Sequence, residues 1–228
     1  MDFSRYAIYL TLPEGPLSEF GVAWLGWDAA TGRETVAPEV DGLPAPAHDI
    51  TATPRKYGLH GTIKPPFRLA EGATYEELND AFATLCKSCS PATTGPLELA
   101  RLGSFLAFIP TGDTTELADL AASMVKSLDS FRAAPTEAEL EKRRKSRLNP
   151  RQDALLTQWG YPYVMDQFKF HITLSGRLTK QDAEQTHAAL LPHLAPHLTE
   201  PFRVDALTLC GEDEQGRFHE LHRYTLSA

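Results

Sequence analysis

Two short runs, His60-Gly61-Thr62-Ile63 and His171-Ile172-Thr173-Leu174, each place an imidazole two residues before a hydroxyl. In an extended strand residues i and i+2 share a face, so each run presents its histidine and threonine side by side. Imidazole titrates near neutrality and can take or give a proton, while a threonine hydroxyl can donate to an anionic oxygen. Two such strands facing each other would surround a small anion with two acid/base groups and two donors. Hydrolysis of a phosphodiester needs that set: a base for water, an acid for the departing oxygen, and donors for the non-bridging oxygens.

Histidine two residues before threonine is a weak pattern alone, and with eight histidines in the chain an accidental match is expected. His197-Leu198-Thr199 is such a match, set between Pro196 and Glu200-Pro201 with no strand alternation. The other two sit in alternating context. Phe168, Phe170, Ile172 and Leu174 point to a core, and Lys169, His171, Thr173 and Ser175 share the opposite face. In the first run Gly58, His60, Thr62 and Lys64 share a face, with Tyr57, Leu59, Gly61 and Ile63 on the other. A polar face alone is also what any half-exposed sheet shows. Recurrence of the motif at corresponding places in two halves is what points to a site.

The elements around the motifs repeat in order. A strand over 56–64 is stopped by Pro65-Pro66, and a helix begins at the capping box Thr74-Tyr75-Glu76-Glu77 with Leu78, Ala81, Phe82 and Leu85 as its apolar stripe. Strands over 97–101 and 105–110 follow, turned at Gly103-Ser104. After the second motif strand, 168–175, come a helix over 180–194 and paired strands over 202–210 and 218–226, turned at residues 212–216. A strand over 5–12 and a helix over 17–25 precede these units, and residues 37–54, with four prolines, read as a loop. Asp113-x-x-Glu116 opens a helix to Arg132, and Thr136-x-x-Glu139 opens a polar one bearing Lys142, Arg143, Arg144, Lys145 and Arg147. The expected fold is α+β: a single bilobal domain over residues 1–228, two antiparallel sheets with pseudo-twofold symmetry around a central cleft, and helices outside. The first lobe unit is expected over about 55–134, the second over about 164–228, and a basic helical connection over about 136–160.

Composition excludes several classes. A net charge of −8 argues against broad nucleic-acid binding, which needs an extended basic surface, so double-stranded DNA is not an expected partner. No run reaches the roughly 18 to 20 apolar residues of a membrane span, and the start lacks the regions of a signal peptide, so a cytoplasmic protein with no membrane partner is expected. Three cysteines do not make a disulfide framework. Cys86-Lys87-Ser88-Cys89 falls at a helix C-terminus, which opposes ionisation, and has no second pair to complete a zinc site. His193-x-x-x-His197 is interrupted by Pro196, and HExxH and DxD patterns are missing, so no metal and no cofactor are expected.

The paired His-x-Thr motifs, separated by about half the chain and each followed by a helix and two strands, resemble the 2H phosphoesterase superfamily, which includes cyclic phosphodiesterases and RNA ligase-like proteins. The longer stretches Arg55 to Phe67 and Phe170 to Gly176, with the opening Arg5-Tyr6-Ala7-Ile8-Tyr9-Leu10, are similar to a branch associated with phosphonate-utilisation operons. The resemblance covers nearly the whole chain and implies a cleft where the motifs face each other, with metal-independent chemistry on phosphoesters. Gly61 stands where that family has a larger side chain, which implies less packing behind the first motif.

His60, Thr62, His171 and Thr173 are therefore the expected catalytic group. Lys64, Lys169 and Ser175 lie on the motif faces and Arg55 just before the first, so they are candidates for binding the anion. Helix-dipole preference explains most of the basic run from Lys142 to Arg151, yet it leads into the second motif, so Arg147 or Arg151 could close over a phosphate. Tyr57 and Tyr163 could line a base or sugar. The expected activity is hydrolysis of a small cyclic sugar or nucleotide phosphate, with a small phosphorylated molecule as partner. A binding protein for phosphate or RNA ends, and an RNA 2′,5′ ligase or phosphodiesterase, are the alternatives.

Overall fold

The computed structural model describes residues 2–228. The chain opens with β1 (Arg5–Thr11), α1 (Pro16–Leu25), a small hairpin of β2 (Trp27–Asp28) and β3 (Arg33–Glu34), and the short α2 (Ala47–Ile50). The first motif lies on β4 (His60–Phe67), followed by α3 (Tyr75–Lys87), β5 (Ala92–Leu102), β6 (Phe105–Pro110) and α4 (Thr115–Ser127). Two helices, α5 (Glu137–Arg144) and α6 (Pro150–Trp159), lead to the second motif on β7 (Ile172–Thr173). The chain closes with α7 (Lys180–Leu194), β8 (Pro201–Val204), β9 (Ala206–Glu212) and β10 (Phe218–Thr225).

Eight strands form one antiparallel sheet in the order β10-β9-β1-β4-β7-β6-β5-β8. The two motif strands are its centre, joined by the pair Gly61↔Ile172. Each motif strand keeps company with the hairpin that follows the other: β5–β6 comes after the first motif but lies beside β7, while β9–β10 comes after the second but lies beyond β1 and β4. The connection from β8 to β9 forces a strong curl. Six strand spacings separate them, about 29 Å in a flat sheet, and Asp205 alone joins them, a reach of only a few ångströms. The sheet therefore bends until its ends approach, with α3, α4 and α7 packed against it. The run predicted as one strand over 202–210 is thus two, each serving a different half.

The capping boxes predicted at Thr74/Glu77 and Thr136/Glu139 form, and α7 spans the predicted residues. Asp113 does not make a box with Glu116: its carboxylate accepts from the Thr115 N–H at 2.9 Å, and the helix ends at Ser127, not Arg132. Within the expected helical connection, α6 is a separate helix with its own signal, an Asn149 cap before Pro150 with Gln152 closing the box. Cys86 is buried in the last turn of α3, where burial and the neighbouring Cys89 push its thiol up to about 12. His197 falls in a single 3-10 turn over Ala195–His197, outside any strand. No helix among the described residues is long and apolar enough to cross a membrane.

Both motif strands differ from expectation. Residues 55–57 form a 3-10 turn, and Gly58, at φ 70°, makes the left-handed step that delays β4 until His60. The strand then runs through Pro65-Pro66, because its pairing with β1 slips twice: Ile8↔Lys64 is followed by Tyr9↔Thr62, and preceded by Tyr6↔Phe67. Such bulges leave residues outside the ladder, where a proline forfeits no hydrogen bond. The second motif strand has two ladder residues in place of the eight predicted, since Met165–Gln167 form a 3-10 turn just upstream. Its alternation still holds, with Phe170, Ile172 and Leu174 buried.

Candidate active site

The pair Gly61↔Ile172 fixes the geometry of the site. In antiparallel register around it, His60 lies opposite Thr173 and Thr62 opposite His171, so the four side chains occupy corners of one patch. The two histidines are diagonal neighbours, at a spacing of roughly 7–8 Å. That is room for a phosphorus centre with one imidazole on each side.

The histidines are held alike. His60 Nδ1 lies 3.0 Å from the Gly58 carbonyl and His171 Nδ1 lies 2.9 Å from the Lys169 carbonyl, in each case two residues upstream. A carbonyl can only accept, so the hydrogen bond assigns the proton to Nδ1 and leaves the Nε2 lone pair toward the cleft. Thr62 Oγ1 then donates to His60 Nε2 at 3.3 Å. Tyr9, buried on β1, lies with its ring centroid 3.9 Å from that of His60, Tyr57 lies at 5.8 Å, and Phe105 at 5.7 Å from His171. Burial, and to a smaller degree the neighbouring His171, push the His60 pKa down to about 4 against the opposing Gly58 hydrogen bond. His60 is therefore a neutral base at neutral pH.

Gly61 is not a packing defect. A Cβ there would stand 2.3 Å from two ring atoms of Phe170, so the missing side chain is the space that ring fills. The residue before the second histidine thus packs directly behind the first.

A cleft of about 360 Å³ opens over this patch, lined by both motif pairs together with Tyr57 and Ser175. Ser175 is committed elsewhere: its Oγ accepts from the Leu106 N–H at 2.9 Å, and it is buried. Lys169 and Tyr163 line an adjoining cavity that shares Thr62, Pro65, Tyr161 and His171 with the cleft.

Four basic candidates are placed differently. Lys64 lies in the core, because the bulge between Ile63 and Lys64 turns both to the same side. Its Nζ donates to the Val125 carbonyl at 3.1 Å and stands 3.8 Å from Asp129. Arg55 ties the end of α1 to α2, donating to the carbonyls of Leu25 and His48 at 3.0 and 2.6 Å. Arg151 forms an exposed ion pair with Asp166 at 2.5 Å, and Arg147 is an exposed residue of the turn after α5, with φ 54°. Neither lines the cleft.

The cations in the cleft wall are Arg5, Arg143 and Arg177. Arg5 is held by a bidentate pair with Glu212, and the Arg143 guanidinium lies 4.9 Å from the centre of the Tyr161 ring. The signal for Arg143 was its spacing: Leu140 is the buried residue of α5, and Arg143 is one turn on along the same face. Among the described residues no group of three or more His, Cys, Asp or Glu side chains could hold a metal ion.

Burial drives the Lys64 amine down to about 8, with Asp129 opposing and Arg132 adding. A lysine held below its unfolded value binds fewer protons folded than unfolded between about pH 8 and 10.5, so this one group makes stability rise with pH across that window. Lys64→Met should therefore be more stable than wild type near neutrality, by at most ~3 kcal/mol, and lose that margin by pH 10.5. Denaturant midpoints of both proteins at pH 7 and pH 10.5 test this, and a constant difference would refute it.

The chain is similar over its full length, and theirs, to several solved structures. They include E. coli LigT complexed with phosphate (14% identity, TM-score 0.44), E. coli LigT complexed with 3′-AMP (15%, 0.44) and a phosphoesterase (17%, 0.42). Likeness at this level carries no chemistry of its own. Two curated proteins named ribose 1,5-bisphosphate phosphokinase PhnN are nearer in sequence. That of Janthinobacterium sp. (strain Marseille) is 36% identical over 221 residues, 94% of this chain and 49% of its own, and that of Laribacter hongkongensis (strain HLHK9) is 35% identical over 223, 96% and 51%. The chain spans about half the length of these curated relatives. The family model described as "Protein of unknown function (DUF1045)" matches residues 62–219, well over half of the chain and both motif threonines. The protein belongs to that DUF1045 family.

Proposed function

We propose that the protein is a 2H-type phosphodiesterase that opens a small cyclic phosphodiester without a metal. One observation carries the reading: two imidazoles on adjacent strands, each with Nδ1 held by a carbonyl and Nε2 turned to the cleft, stand diagonally across it with two threonine hydroxyls. His60, neutral at physiological pH, takes a proton from water as its oxygen attacks phosphorus. The bond from phosphorus to one ring oxygen breaks, and His171, which enters the cycle protonated on both ring nitrogens, gives that oxygen its Nε2 proton as it leaves. Thr62 and Thr173 donate to the non-bridging oxygens, and Arg5, Arg143 and Arg177 offset the charge that gathers there. Water and a cyclic diester thus become a phosphomonoester alcohol, with both histidines returned to their starting states by one net proton exchange with solvent.

The curated relatives support a narrower substrate. They are named for a kinase acting on ribose 1,5-bisphosphate, the chain matches about half of them, and the sequence has no Gly-x-x-x-x-Gly-Lys-Ser/Thr loop to cradle a nucleotide. A phosphodiesterase joined to such a kinase would supply its substrate by opening a cyclic phosphate on ribose 5-phosphate. The test is turnover of a panel of pentose and nucleotide cyclic phosphates after exhaustive chelation. Undiminished hydrolysis, greatest for the pentose phosphates, is the expected result; abolition by chelation and restoration by one divalent ion would overturn the scheme.

A further inference from the structure

A second cavity, of about 510 Å³, adjoins the cleft and shares Arg5, Tyr57, Pro66 and Arg143 with it. Six cations line it: Arg5, Lys56, Arg68, Arg132, Lys142 and Arg143. In a chain of net charge −8 this is a marked local reversal of sign. Glu139 is the carboxylate in its wall, and Arg68 binds it at 3.0 Å. Arg132 is paired with Asp129 at 2.8 Å and Arg5 with Glu212. Lys56, Lys142 and Arg143 make no salt bridge among the described residues. Lys56 Nζ rests 4.8 Å from the Tyr57 ring centre, at the border of the two cavities.

The dipole of α5 accounts for basic residues in its last turn, including Lys142 and Arg143. It does not account for Arg5 on β1, Lys56 before β4, Arg68 after β4 and Arg132 after α4 reaching the same hollow. Like charges repel, and gathering them from five segments in a concave wall raises the local potential for an anion. We infer that this cavity binds a second, non-reacting phosphate of the substrate, so that the preferred ligand is a cyclic phosphate carrying a phosphomonoester at its far end. The inference rests on the phosphodiesterase reading for the reacting end, and adds a subsite that uses residues outside the acid/base group.

The test has two arms. In the first, kcat/KM is measured for a pentose cyclic phosphate with and without a 5-phosphate, using wild type and Lys56→Ala/Lys142→Ala. Wild type should favour the 5-phosphorylated compound by at least about tenfold, and the double variant should lose most of that margin while keeping its rate on the plain compound. In the second, thermal unfolding is followed against inorganic phosphate at constant ionic strength. A saturable rise in Tm that the double variant lacks is expected. Equal kcat/KM for the two compounds, or a phosphate response unchanged in the double variant, overturns the subsite and leaves the phosphodiesterase reading standing. Absence of turnover on both compounds, with the phosphate response intact and lysine-dependent, overturns the reaction and leaves the anion site.

Discussion

Alanine at His60 or at His171 is expected to lower turnover of an accepted cyclic phosphodiester by about 10²- to 10⁴-fold, with KM changed far less. Each imidazole is aimed by a carbonyl two residues upstream and presents Nε2 to the same cleft, so neither can be replaced by its partner. In the proposed scheme the two act on one transfer, so the double variant should fall well short of the product of the single losses. Thr62→Val and Thr173→Val should cost less, because other donors still face the same oxygens. The pH profile carries a sharper mark. On its acid side the rate should fall as pH drops through about 4, where His60 gains a proton, and not near the ordinary histidine value of 6.5. Steady-state kinetics on proteins with wild-type circular dichroism decide the matter. Near-normal turnover in both single variants would make the cleft a binding site alone.

Valine at Gly61 should destabilise the fold by about 1–3 kcal/mol and reduce kcat with it. The added Cβ would lie 2.3 Å from the Phe170 ring, and Phe202 stands behind that ring with centroids 5.7 Å apart, so retreat displaces a second aromatic. Movement of Phe170 is movement of the residue bonded to His171, so the damage reaches the opposite motif from the one mutated. A second substitution, Phe170→Leu, removes the atoms in collision and should recover part of the lost stability. Denaturant unfolding of the two single variants and the pair measures the coupling directly. Additive losses would show that the ring and the glycine do not constrain one another.

The residues proposed to make the chemistry were legible because their neighbours alternate: Phe170, Ile172 and Leu174 bury one side, which fixes where His171 and Thr173 point. The same alternation misplaced Lys64. A strand has a period of two, and one bulged residue reverses every face downstream of it. Nothing in the order Thr62-Ile63-Lys64-Pro65 shows that the slip precedes the lysine, although the two prolines mark a strand that cannot pair regularly. Among the arginines, nearness in sequence to the second motif pointed to Arg147 and Arg151, and the helix spacing from Leu140 that marks Arg143 went unread. Which hairpin lies beside which motif was beyond reach, since local pattern gives the strands and not their partners. Asp205 alone separates two strands that end on different sides of the sheet.

Interleaving of the strands also has a consequence during synthesis. β1 leaves the ribosome ahead of the other strands of its sheet, yet one of its two neighbours is β9, and the bond from Arg5 to Glu212 spans 207 positions. A nascent chain that already holds both histidines still shows an open, apolar β1 edge, because the covering strand has yet to be translated. Long-range pairing of this kind closes slowly. Rare codons or truncation between α7 and β9 should therefore favour aggregation over a merely inactive product.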